Sequence, residues 1–222
     1  MDINDLFNEL EILRTPFEMK DYFDRIIFLI NEQPELLEQA RLNKGKYKQF
    51  IEEFYPLYCF SQSKYCKHNS RLKIIIGNQP YDAIMHLEDG TEEKFELTNY
   101  IDGEWEFFNA KELNKSGIGK IRFNDTRNLV AREQEYLQKI MKNVEKKSKK
   151  DYSHANIIFV VNTSDYFEVY GRSSRSFVRR LKDELMNVKL NAKTIFLLVL
   201  NNQSIDSINE NLLLIKENAQ FD

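Results

Sequence analysis

Over roughly the first sixty residues, apolar positions recur at intervals of three and four, and helix-start signals stand where each recurrence begins. Thr15-Pro16-Phe17-Glu18 reads as a capping box. Thr15 can accept from exposed backbone donors, Pro16 loses nothing at the first helical position, and Glu18 can reach back to the cap. The spacing predicts a helix to about Asn31, a second from Pro34 through Arg41, and a break at Gly45. Tyr47, Phe50, Ile51, Phe54, Leu57 and Tyr58 form a third apolar face, with Pro56 as the place for a kink.

The period then shortens toward two. Residues 72–76 are a short apolar run, and residues 81–88 and 92–100 flank Asp89-Gly90, a strong hairpin signal. Asp102-Gly103 reads as a turn, residues 110–115 as one helical turn ended by Gly117, and Asp125 or Thr126 as the cap of a long helix to about Lys147. Residues 156–161 and 194–200 are buried-strand runs separated by a basic helix over 174–188. A last element over 207–215 carries Ser207 and Glu210 in capping-box spacing. Strand pairs followed by strand-helix-strand units predict an α/β fold, a mixed central sheet flanked by helices. Residues 1–44 form a helical N-terminal extension on a core of residues 45–222.

Composition narrows the class. The chain has 222 residues, 42% of them hydrophobic and 30% charged, which is an ordinary globular balance. No apolar run is long enough to span a membrane. Lys and Arg number 32 against 35 Asp and Glu, for a net charge of −3, so a globally basic nucleic-acid coat is excluded while local patches are not. Two cysteines cannot make a disulfide framework, and Asp2, Asp5 and Glu9 occupy a start where a secretory signal would be basic and then apolar. A cytoplasmic protein is expected. Glycine-rich phosphate loops, nucleophile elbows and zincin helices are absent.

Cys59, Cys66 and His68 lack a fourth ligand and a zinc-knuckle spacing, so no metal is assigned to them. His86 and His154 stand alone. The informative pair is Asp82 and Glu96, each interrupting an apolar strand. A carboxylate there is costly unless it is paired, hydrogen-bonded or bound to a cation, or unless it simply faces solvent. An oxygen-preferring cation such as Mg²⁺ or Mn²⁺, held by one or two carboxylates, points to phosphodiester chemistry. A shared cation needs both acids on one face, which a regular two-residue turn at Asp89-Gly90 would forbid. An odd-length loop or a bulge with Gly90 left-handed is therefore expected.

Three segments together resemble the PD-(D/E)XK, or restriction endonuclease-like, superfamily. They are Gly77-Asn78-Gln79-Pro80-Tyr81-Asp82-Ala83, Phe95-Glu96-Leu97-Thr98-Asn99, and Lys146-Lys147-Ser148-Lys149-Lys150-Asp151-Tyr152 before an apolar strand. The resemblance covers residues 51–201 and implies an αβββαβ core and a DNA-cutting hydrolase. It implies Asp82 and Glu96 as metal ligands, with a further acid, Glu53 ahead of Glu52, from the preceding helix. The family signature ends in lysine where this chain has Thr98, and threonine cannot supply an ammonium. Lys147, which begins the Lys-x-x-Lys-x-Tyr pattern completed by Lys150 and Tyr152, is the candidate replacement.

Arg172, Arg175 and Arg179 lie three and four apart, a helical stripe that can grip phosphates. Both basic groups can equally be solvated helix faces, with Asp183 and Glu184 offsetting the arginines. The expected activity is metal-dependent phosphodiester hydrolysis, with nucleic acid, DNA foremost, as partner. The alternative is a catalytically inactive module that binds nucleic acid or a protein. A second copy or a protein partner would use the aromatic N-terminal helices, leaving Phe7, Phe17, Tyr22, Phe23 and Phe28 exposed in the isolated chain.

Overall fold

The computed structural model describes residues 3–100, 103–118, 129–163, 174–201 and 205–218. The chain divides into two compact units, one of Met1–Glu92 with Ile101–Phe123 and one of Glu93–Tyr100 with Asn124–Asp222.

The first unit is built mainly from helices. After a 3-10 turn at Ile3–Phe7, α1 (Pro16–Glu32) starts at the expected capping box. The Glu18 backbone N–H donates to Thr15 Oγ1 at 3.3 Å, and the Thr15 N–H donates to Glu18 Oε2 at 2.7 Å. Met19, Tyr22, Ile26 and Ile30 bury one face at helical spacing. Gln33 is extended, as the residue before a proline should be, and α2 (Pro34–Arg41) follows.

The third helical face is interrupted. α3 (Gly45–Gln49) runs through a π turn at Phe50–Phe54 into α4 (Tyr55–Ser61). There the Tyr55 N–H reaches the Phe50 carbonyl, five residues back. Pro56 has no N–H to donate and would crowd the carbonyl four residues before it, so the wider turn relieves an α-helical clash. Phe23 stacks on Tyr58 at 4.7 Å, and Phe50 stacks on Phe54 at 5.3 Å. Phe7 and Tyr22 are buried and Phe23 is half-buried, whereas Phe17 and Phe28 are 71% and 62% exposed.

β1 (Arg71–Ile74) pairs antiparallel with β2 (Ala83–His86), and Arg14 bridges to Leu72 on the other side of β1. Both strands are shorter than the apolar pattern suggests, and Asp82 lies just ahead of β2. The turn after β2 has three residues. The Gly90 N–H donates to the Leu87 carbonyl at 3.1 Å and the Leu87 N–H to the Thr91 carbonyl at 2.9 Å, with Gly90 at φ 85°. This is the odd-length, left-handed glycine turn expected from the sequence. α5 (Gly103–Ser116) is a full helix rather than the single turn expected near residues 110–115; Gly117, at φ 70°, ends it.

All but the first residue of β3 (Glu92–Asn99) belong to the second unit. The strand pairs parallel with β5 (Ala155–Asn162), which pairs parallel with β7 (Thr194–Leu200); β7 pairs antiparallel with β8 (Leu212–Glu217). The sheet is therefore mixed, and the fold is α/β. β5 and β7 are near-continuous apolar runs because both of their faces are buried. The amphipathic α6 (Leu129–Ser148) and α7 (Arg175–Asn187) cover one face, joining Leu137, Ile140, Val144, Phe177, Leu181 and Leu185 to Ile157, Phe159, Ile195 and Leu197. A short second ladder pairs β4 (Asp151–Tyr152) with β6 (Asn191–Ala192).

The end of the chain departs from expectation. Ser207 makes no side-chain cap bond, only one turn of helix forms at α8 (Ile208–Asn211), and the apolar run after it is strand β8. No helix among the described residues is long and apolar enough to cross a membrane.

Candidate functional site

Glu96 lies in the middle of β3, opposite Ile157 of β5, and Thr98 lies opposite Phe159. Neighbouring residues of a parallel pair point to the same side, so Glu96 and Thr98 share the face covered by α6 and α7. A charged side chain there needs a partner. Lys147, in the last turn of α6, provides it: its Nζ makes an ion-paired hydrogen bond to Glu96 Oε1. The Lys147 and Glu96 side chains are 24% and 11% exposed respectively, so the pair is largely withdrawn from water while the ammonium retains access to it.

Tyr152 of β4 closes the group. Its hydroxyl donates to the same Oε1 at 3.4 Å, and Lys147 Nζ lies 5.8 Å from its ring centroid. Burial, and then the neighbouring carboxylate, push the tyrosine pKa up, which keeps the hydroxyl protonated as a donor. Thr98 Oγ1, two residues along the same strand face, is buried and finds no hydrogen-bond partner among the described residues.

The choice of Lys147 within its lysine-rich stretch has a geometric cause. Residues 133, 137, 140, 144 and 147 fall on one stripe of α6 at alternating spacings of four and three. Leu137, Ile140 and Val144 bury the middle of this stripe, and its two ends are charged. Lys147 meets Glu96 at one end, and at the other the buried Glu133 accepts from Arg180 of α7. Lys146 and Lys150 are exposed.

Tyr152 stands in the lysine-tyrosine motif without a role of its own, and Glu133 is missing from the sequence candidates. A charged residue at an apolar-stripe position was the available signal for Glu133.

The remaining candidates are dispersed. Asp82 and Glu53 belong to the first unit, where both are half-buried. The Asp82 carbonyl accepts from the Ile75 N–H at 2.8 Å, and Glu53 lies in the π turn. Beside it, Glu52 is raised by burial, offset in part by Lys48 at 3.8 Å. Arg175 and Arg179 are exposed on α7, while Arg172 lies outside the described residues. Cys59 is buried in α4, which pushes its thiol up to about 12, and Cys66 Sγ lies 3.9 Å from Met85 Sδ. Among the described residues, no three His, Cys, Asp or Glu side chains form a group able to hold a metal ion.

Comparison with family models, with curated proteins and with solved structures finds no match for this chain.

Proposed function

We propose that this protein is a metal-dependent phosphodiesterase of the restriction endonuclease-like kind, acting on nucleic acid, with DNA as the first polymer to test. The observation that carries this reading is the pairing of Glu96 with Lys147, 51 residues apart, on one covered sheet face. An ammonium delivered from α6 to the glutamate of β3 takes the place of the lysine that Thr98 lacks.

Glu96 offers carboxylate oxygen, Thr98 adds a buried hydroxyl without a partner among the described residues, and Mg²⁺ is commonly held by one or two carboxylates with water completing its shell. Bound there, Mg²⁺ or Mn²⁺ supplies Lewis acidity toward a phosphate and a water of lowered pKa. In this reading Glu96 holds the ion, and Asp82 and Glu53 are the further acids that the family resemblance implies. Lys147 neutralises charge developing on the phosphoryl oxygens, and Tyr152 orients the Glu96 carboxylate. Arg172, Arg175, Arg179 and Lys150 grip the backbone without reading bases.

The experiment is cleavage of plasmid DNA, single-stranded DNA and RNA in Mg²⁺ or Mn²⁺, with and without chelator. The wild type should cut at least one of them, and Glu96→Gln or Asp82→Asn should lower the rate by about a hundredfold or more. Cleavage that survives chelation or either substitution contradicts the mechanism. Thr98 favours a second reading, a nuclease-like module without turnover. In that case no polymer is cut, nucleic acid still binds with a strong salt dependence, or a protein contacts the exposed Phe17 and Phe28 of α1.

A further inference from the structure

We infer that the first unit carries a surface for single-stranded nucleic acid, formed by Phe108, Lys111 and Lys115 on α5 with Arg41 and Lys44 at and just beyond the end of α2. The inference goes beyond the proposed hydrolysis, because binding here needs neither turnover nor a metal ion.

Three features carry it. First, the cations are held together. Lys44 Nζ and Lys111 Nζ each lie 4.5 Å from the centroid of the Phe107 ring. The two ammoniums therefore stand within about 9 Å of each other, close to the screening length of about 8 Å at physiological salt, so their repulsion persists. Arg41, in the last turn of α2, is fixed to the same helix: its Nη1 donates to Asn114 Oδ1 of α5 at 3.3 Å, and Asn114 Nδ2 donates to the Glu38 carbonyl at 2.8 Å. One turn beyond Lys111, Lys115 adds a like charge at a spacing that costs stability rather than adding it.

Second, this group is not compensated. Elsewhere in the unit Arg14 and Arg25 pair with Glu9, Lys20 with Asp24 and Lys48 with Glu52. Arg41, Lys44, Lys111 and Lys115 have no ion pair among the described residues. Cations left together in this way, in a chain whose net charge is −3, attract an anion, and their spread over two helices suits a chain of phosphates.

Third, an aromatic ring joins the cations. Phe108, Lys111 and Lys115 follow one another by three and four residues, so they share one side of α5, and all three are exposed, Phe108 by 45%. The ammoniums alone would meet any phosphate backbone. A ring among them adds a surface on which a base can stack, and only an unpaired strand has base faces to offer, since those of a duplex already cover one another.

The test is fluorescence anisotropy of labelled oligothymidine, and of a duplex of the same length, titrated with the full chain in chelator over a series of salt concentrations. The wild type should hold the single strand about tenfold more tightly than the duplex, the scale of one stacked base. Lys44→Ala with Lys111→Ala should weaken single-strand binding by about tenfold or more and reduce the slope of log K against log salt by about 1.4, the loss of two phosphate contacts. Phe108→Ala should weaken it by about tenfold at unchanged slope and close the gap to the duplex. Photo-cross-linking of the wild type to an iododeoxyuridine oligonucleotide, mapped by mass spectrometry, should mark residues 107–115, and it decides if the variants do not fold. Absence of binding, a wild type indifferent to strandedness, single-strand binding unchanged in the lysine double variant, or cross-links confined to the second unit overturns the inference. Cleavage assays in Mg²⁺ stand apart: binding as described without cleavage overturns the phosphodiesterase reading alone, and cleavage with unaltered binding in the lysine double variant overturns this inference alone.

Discussion

Replacing Lys147 by Met removes an ammonium from Glu96 while keeping most of the stem that packs beside it. Two unit charges about 4 Å apart interact by about 4 kcal/mol at an effective dielectric near 20, and breaking a fully buried pair from one side costs about 3–5 kcal/mol. Both figures overstate this site. Lys147 is 24% exposed, and the Tyr152 hydroxyl continues to donate to the orphaned oxygen, so a cost of about 2 kcal/mol is expected. Glu96→Gln should cost less, about 1 kcal/mol, because the released ammonium can reach water. The double variant then loses the pair only once, and a coupling of about 1–2 kcal/mol should appear in the cycle. Urea unfolding followed by far-ultraviolet circular dichroism, in chelator, measures all four proteins. Single costs that sum to the double within about 0.5 kcal/mol would refute the ion pair as a coupled unit.

Three further outcomes are expected. The Thr15 backbone N–H, then its hydroxyl, hold the Glu18 carboxyl below its ordinary range. The stability that Glu18 adds over Glu18→Gln should therefore be full above the unfolded carboxylate pKa and vanish as pH falls through the depressed folded value, which thermal melts across that window will record. Gly90→Ala should cost about 1 kcal/mol in urea unfolding from backbone strain alone, since φ is 85° and no atom lies within 4 Å of the added methyl; Gly90→Asn should cost less. Arg175→Ala with Arg179→Ala should weaken DNA binding across sequences and reduce the slope of log K against log salt by about 2, measured by fluorescence anisotropy.

What was legible followed from how strongly local chemistry dictates each element. Thr15 and Glu18 cap α1 as expected, because a capping box is decided within one turn. The runs that became β5 and β7 were visible because strands buried on both faces carry little else but apolar residues. α5 was foreshortened, since Asp102-Gly103 imitates a turn and Ala110 is the one buried residue among its described side chains. Residues 207–215 read as one element opened by a capping box: Leu212, Leu213, Leu214 and Ile215 form a short apolar run whose period does not discriminate, and pairing with β7 makes it strand β8. Within the site, Lys147 was marked by a pattern, but its selection over Lys146 and Lys150 is a matter of the α6 stripe it shares with Val144 and Ile140. Tyr152 reaches Glu96 through the β4–β6 ladder, two-residue strands too short to leave a periodic trace.

Glu96 is proposed to hold a divalent cation, with Lys147 beside it. Anomalous diffraction from crystals grown or soaked in Mn²⁺ tests it most directly. A peak within about 2.6 Å of a carboxylate oxygen of Glu96 is expected. Fully occupied Mn²⁺ elsewhere, or Lys147 still bonded to Glu96 with no peak at that carboxylate in saturating Mn²⁺, would contradict it.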